Sequence, residues 1–129
     1  MELEQIIFTS HAKILKKKFL IERRGFDYPN GNIFEKPIFE KKKNFFRFRY
    51  LREYIEAAYK IKKIKLAPGK IEALNFLDKL MQSNRFQKKI KLNQGDLIIL
   101  NNNILSHGRT KFDLNSGDDQ RTLVRVWVK

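Results

Sequence analysis

The sequence predicts a mainly-β domain with one or two helices, a part of a β-sandwich or jelly roll. Three observations carry this. Short alternating or continuous apolar runs recur from residue 45 onward, at residues 45–50, 86–92, 97–100 and 121–128, with the period of two or the unbroken apolar character of sheet strands. One stretch, about Lys70 to Gln82, carries a 3.6-residue apolar stripe. Turn residues separate the runs, as in Tyr28-Pro29-Asn30-Gly31 and Asn93-Gln94-Gly95-Asp96. Several short strands around one helix form the element mix of a sandwich or jelly roll.

A chain of 129 residues makes one domain with a real core. The 42% hydrophobic and 12% aromatic content argues for a globular fold and against disorder. The absence of cysteine excludes a disulfide framework, a thiolate metal site and a cysteine nucleophile. Acidic residues precede a short apolar run at the start, MELEQIIF, the wrong order for a signal peptide. No apolar run approaches the ~20 residues that span a bilayer. The sequence therefore predicts a cytoplasmic protein without a membrane partner. The net charge of +14 has two readings. One is a non-catalytic basic module that binds nucleic acid or another polyanion. The other, preferred here, is a lysine-rich surface: the basic residues run from Lys13 to Lys129, with no zinc finger, basic zipper or RNP-like motif beside them.

In chain order, Ser10 is placed to cap a short helix whose apolar side is Ala12, Leu15 and Phe19. Lys16, Lys17 and Lys18 form its solvated face, and His11 is given no role. Residues 25–44 read as a loop region in which Pro37-Ile38-Phe39 forms a short edge strand, because proline disfavours a central one. In Phe45–Tyr50, Phe46, Phe48 and Tyr50 share a face opposite Phe45, Arg47 and Arg49, the pattern of a half-buried strand. Residues 51–66 fit both a helix and an extended chain. Pro68-Gly69 opens a structural helix with Ala73, Leu74, Leu77, Leu80 and Met81 on one face. Phe86, Ile90 and Leu92 alternate with polar residues, and Leu97–Leu100 is a strand buried on both sides. Asn101–Asn103 breaks that strand, and Ile104–His107 resumes it. On the last strand Thr122, Val124, Val126 and Val128 oppose Arg121, Leu123, Arg125 and Trp127.

The candidate site lies in this final third. His107 ends a strand beside Gly108, where a ring projects into any cavity the sheet encloses. Arg121 and Arg125 share a strand face but stand about 13 Å apart along it, too far to clamp one carboxylate together. An inward guanidinium costs desolvation unless an anion pairs with it, and its planar fork suits a carboxylate. An anion pocket and a cross-strand ion pair with Asp118 or Asp119 are both compatible with the spacing.

The run GDLIILNNNILSHGRTKF, followed by DDQRTLVRVWV, resembles the C-terminal signature of the taurine dioxygenase (TauD/TfdA) family. That pattern is G-D, a few apolar residues, D-N-R, then L-H-G-R and later R-x-x-x-R. Upstream, the Pro-Ile-Phe, the Arg-Tyr strand and the Glu-Ala-Leu helix fall in the same order, so the likeness extends over about residues 15–129. The resemblance implies the C-terminal half of a double-stranded β-helix, and an Fe(II)- and 2-oxoglutarate-dependent oxygenase that hydroxylates a small-molecule substrate. It implies that His107 is the second histidine of a 2-His-1-carboxylate triad, and that Arg121 pairs with the distal carboxylate of 2-oxoglutarate. Arg125 then matches an arginine that in some members faces an acidic substrate group. Asn102 matches the asparagine of D-N-R, a neighbour of the ligand shell, whereas Asn101 and Asn103 depart from that motif. The family's His-x-Asp/Glu is missing from these residues: His11 is followed by Ala12 and Lys13. The expectation is a partial domain, inactive alone, with a separate chain carrying the other two ligands as one way to complete it. A split, a truncated and a decayed gene product all fit.

Overall fold

The computed structural model describes residues 9–23, 32–108 and 124–126. Among them are three helices, α1 (Ser10–Leu15), α2 (Arg52–Ile61) and α3 (Pro68–Gln82). Four short strands accompany them: β1 (Lys18–Glu22), β2 (Ile33–Pro37), β3 (Phe39–Lys41) and β4 (Phe46–Phe48). The strands form two separate antiparallel pairs, β1 with β2 and β3 with β4.

Helix α1 begins one residue earlier than Ser10 would set it. Thr9 is the N-cap, in extended conformation, and its Oγ1 accepts from the Ala12 amide at 3.2 Å. The helix stops at Leu15 and does not reach Phe19. Phe19 fits the helical spacing from Leu15, but it also alternates with Ile21, and the strand wins because β2 offers a partner. Both side chains are buried on the inner face of β1, and the register runs from Lys18 opposite Pro37 to Glu22 opposite Ile33. The stretch expected as loop with one edge strand therefore holds two strands. Pro37 closes β2 at the sheet end, where its missing N–H costs no ladder bond. Ile38, 1% exposed, carries the chain between the sheets. Its amide donates to Leu15 O at 3.1 Å, and its carbonyl accepts from the Arg49 amide at 2.9 Å.

The β3–β4 hairpin pairs Phe39 with Phe48 and Lys41 with Phe46, and the Phe39 and Phe46 rings stack at 4.9 Å. The alternation expected of this segment holds only in part: Phe46, Arg47 and Phe48 are all half-buried, while Phe45 and Arg49 are exposed and Tyr50 is buried. Residues 52–61 resolve as helix, because Ile55, Ala58 and Tyr59 bury one face at the three- and four-residue spacing. The helix ends on Lys63, at φ 55°, a left-handed residue. The Lys63 amide donates to Lys60 O at 3.1 Å and the Ile64 amide to Tyr59 O at 3.0 Å, the bond pair of a Schellman cap. Helix α3 starts at Pro68, whose fixed φ suits the first turn, and buries Ala73, Leu74 and Leu77.

One core joins these elements: Leu15, Phe19, Ile21, Ile38, Tyr50, Ile55, Tyr59, Ala73, Leu74 and Leu77. Lys70 ties them at the rim, its Nζ donating to Lys18 O at 2.8 Å and to the Tyr59 hydroxyl at 2.9 Å. The Lys70 cation also lies 4.6 Å from the Phe19 ring centroid.

Beyond α3 the strands expected at 86–92, 97–100 and 104–107 do not form, and of the last one only residues 124–126 are described, without an assigned strand. A strand is stable only with a hydrogen-bonded neighbour and something to cover its face. The described residues offer these segments neither. The turn at Asn93–Asp96 is present: the Asn93 amide donates to Asp96 Oδ2 at 2.7 Å, with Gly95 at φ 88°, where a side chain would strain the backbone. Among the described residues no helix is long and apolar enough to cross a membrane.

Candidate functional site

The residues expected to carry chemistry lie on the segment after α3, and among the described residues hydrogen bonds tie that segment to β4 at Asn103. Three consecutive asparagines make the mooring. Asn101 Oδ1 accepts from the Asn103 amide at 3.0 Å, and Asn101 O accepts from the Ile104 and Leu105 amides, both at 3.1 Å. Asparagine at the head of a turn folds its own backbone in this way. Asn103 then reaches β4. Its carbonyl accepts from the Phe48 amide at 2.7 Å, and its Oδ1 from Arg47 Nε at 3.2 Å.

Asn103 and Asn101 were therefore undervalued by the sequence motif, which counted both as departures. The local signal was available: a short polar run after an apolar one is turn chemistry whatever motif it interrupts. Asn102, between them, is exposed and makes no side-chain hydrogen bond among the described residues. His107 lies four positions beyond Asn103, exposed and outside any helix or strand. Arg125 is exposed between Val124 and Val126. Arg121 lies outside the described residues.

A second polar constellation, unforeseen from sequence, joins α2 to α3 beneath Tyr50. The Tyr50 hydroxyl donates to Asp78 Oδ1 at 2.5 Å. Arg52 Nη1 donates to Asp78 Oδ2 at 2.6 Å and to Asn75 Oδ1 at 2.8 Å, and its Nε to Glu56 Oε1 at 2.7 Å. Burial, then the hydrogen bond and charge of Asp78, push the Tyr50 phenol well above its usual range. The hydrogen bonds to Glu56 and Asp78 hold the Arg52 guanidinium above its own. Every member has a partner, and no face of the cluster opens toward His107's segment through any of these contacts. It staples two helices. The clue in the sequence was the spacing of Arg52 and Glu56, an i,i+4 pair.

The sequence offers this chain one ligand of the three expected for iron, His107. Among the described residues no group of three or more histidine, cysteine, aspartate or glutamate side chains comes together, and a single imidazole supplies one of the three fixed ligands that a facial triad needs. The described residues thus do not fit the metal by themselves.

No curated protein and no solved structure matches the chain. A family model does. It spans residues 22–127, close to the reach of the resemblance read from the sequence, and takes in Asn102, His107, Arg121 and Arg125. With most of its length inside that match, the chain belongs to the taurine catabolism dioxygenase TauD, TfdA family.

Proposed function

We propose that this chain is the C-terminal part of an Fe(II)/2-oxoglutarate-dependent dioxygenase built on a double-stranded β-helix, and that a second polypeptide bearing His-x-Asp/Glu completes it. The family match across residues 22–127 carries this reading, and the motif resemblance around His107, Arg121 and Arg125 supports the roles given to them. His107 serves as one iron ligand. Arg121 grips the distal carboxylate of 2-oxoglutarate through its planar fork, and Arg125 faces an acidic group of a small substrate. Asn102 sits beside the ligand shell. Iron and 2-oxoglutarate together would supply the oxidising power for a C–H hydroxylation; this chain's part is to position them.

Two measurements test the reading. The purified 129-residue chain is expected to retain no Fe(II) and to release no succinate from 2-oxoglutarate. Tight one-to-one Fe(II) binding with turnover by the chain alone would refute the divided site. The reading frame adjoining the Met1 codon upstream is expected to encode a polypeptide with His-x-Asp/Glu. Mixing the two products should restore iron retention, and His107→Ala should abolish it. Arg121→Ala should raise the KM for 2-oxoglutarate by roughly 10- to 100-fold, the worth of a charge-assisted pair. An unchanged KM would remove Arg121 from the cosubstrate.

A further inference from the structure

The segment from Leu97 to Leu100 has strand character without a strand's neighbours. Leu97 and Ile99 are 83% and 88% exposed, while Ile98 and Leu100, on the alternate face, are 39% and 40% exposed. None of the four residues makes a backbone hydrogen bond to any described residue. Val124 and Val126 repeat the pattern at 86% and 76% exposed. Side chains this apolar favour leaving water, and an unpaired row of N–H and C=O groups favours a second backbone. Together these demands select the occupant. Lipid tails would cover the side chains but leave the backbone groups unmet. Nucleic acid needs aromatic or basic side chains to stack or pair, and these positions are aliphatic. Only an added β-strand satisfies both.

Charge then selects which strand. Arg85, Lys88, Lys89 and Lys91 are exposed on the approach to the segment, and the nearby carboxylate of Asp96 is already engaged by the Asn93 amide. A second copy of this chain would bring another net +14 against the same segment, and like charges facing each other across a strand pair are destabilising. We propose that Leu97–Leu100, an apolar segment outside both described sheets, receives a β-strand from an acidic polypeptide and becomes a strand on pairing with it, with alternate apolar side chains covering Leu97 and Ile99. This rests on the divided-enzyme reading and gives the second polypeptide a docking surface and a charge.

The test uses the 129-residue chain and two synthetic peptides, one alternating glutamate and valine and one alternating lysine and valine, followed by amide hydrogen exchange. In the chain alone, the amides of residues 97–100 should exchange as in an unstructured peptide at every protein concentration. The glutamate peptide should slow them by at least roughly tenfold, with the protection weakening between about 50 mM and 500 mM salt. The lysine peptide should not, and Ile99→Pro, which deletes a donor outside the core, should abolish the protection while leaving the circular dichroism unchanged. Equal protection by both peptides, protection by neither, or concentration-dependent protection of the chain alone would each overturn the proposal. Because no iron or 2-oxoglutarate enters this test, the two readings fail separately. Protection without iron retention in the completed mixture sinks the function and leaves the strand pairing. Iron retention with freely exchanging residues 97–100 does the reverse.

Discussion

At the scale of single residues, Tyr50 and Asp78 set the clearest expectation. The folded state holds the Tyr50 proton more tightly than the unfolded chain does. Stability contributed by this group is therefore fully present below the unfolded tyrosine pKa, about 10, and is lost as pH rises from there toward the raised folded value. The slope for one proton is at most about 1.4 kcal/mol per pH unit. Tyr50→Phe should cost about 1 kcal/mol at neutral pH, by removing a hydrogen bond to a carboxylate. It should also flatten the alkaline fall in stability, measured by urea unfolding at several pH values above 10. A variant whose alkaline slope equals the parent's would remove Tyr50 as its source. His107→Ala is the opposite case: its exposed side chain supports nothing in the fold, so the urea midpoint should move by less than about 0.5 kcal/mol. Such a silent variant makes any loss of iron retention in the completed enzyme a loss of a ligand. Asn103 marks the limit of reading at this scale. Its bonds to Phe48 and Arg47 span 55 and 56 positions of chain, and no local pattern in the sequence records a contact that distant.

At the scale of elements, legibility followed locality. Helix α3 announces itself because proline, stripe and polar face all agree over fifteen residues, and β4 because its alternation has no helical competitor. Helix α2 was ambiguous for a physical reason. Its sequence continues into Lys60-Ile61-Lys62-Lys63-Ile64-Lys65-Leu66, which alternates like a strand, so the periodicity blurs where the helix ends. The structure ends it at Lys63, at φ 55°, in a conformation that costs a side-chain-bearing residue about 1 kcal/mol. Lys63→Gly should accordingly raise stability by up to about 1 kcal/mol, and Lys63→Val should lower it, since branching at Cβ worsens the same strain. Thermal unfolding of the pair decides this: a glycine variant no more stable than the valine variant would show that the Schellman cap at Lys63 is not formed in solution. The strands after residue 86 could be seen as apolar patterns but not as ladders. Pattern specifies which face wants covering, while the partner that covers it is a property of another segment.

At the scale of the whole molecule, the chain divides by where its apolar side chains go. Among the described residues the buried core runs from Leu15 to Leu77, and the last side chain packed against it is Met81. From Phe86 onward, Ile90, Leu97, Ile99, Ile104, Leu105, Val124 and Val126 are 47% exposed or more, Ile98 and Leu100 are 39% and 40% exposed, and Leu92 is half-buried. Their attachment to the body, among the described contacts, is the pair of hydrogen bonds at Asn103. An exposed side-chain bond and one edge amide contribute together on the order of 1 kcal/mol, a small part of the 5–15 kcal/mol that holds a domain folded. A chain ended after Gln87 should therefore keep its helical circular dichroism and lose no more than about 1 kcal/mol of stability. It should also bind less of a hydrophobic dye than the full chain, because the removed segment carries the open apolar surface. Cooperative unfolding lost on truncation would mean that the final third belongs to the core after all. Retained folding would show that the helices and paired strands up to Gln82 fold without the segment that carries His107.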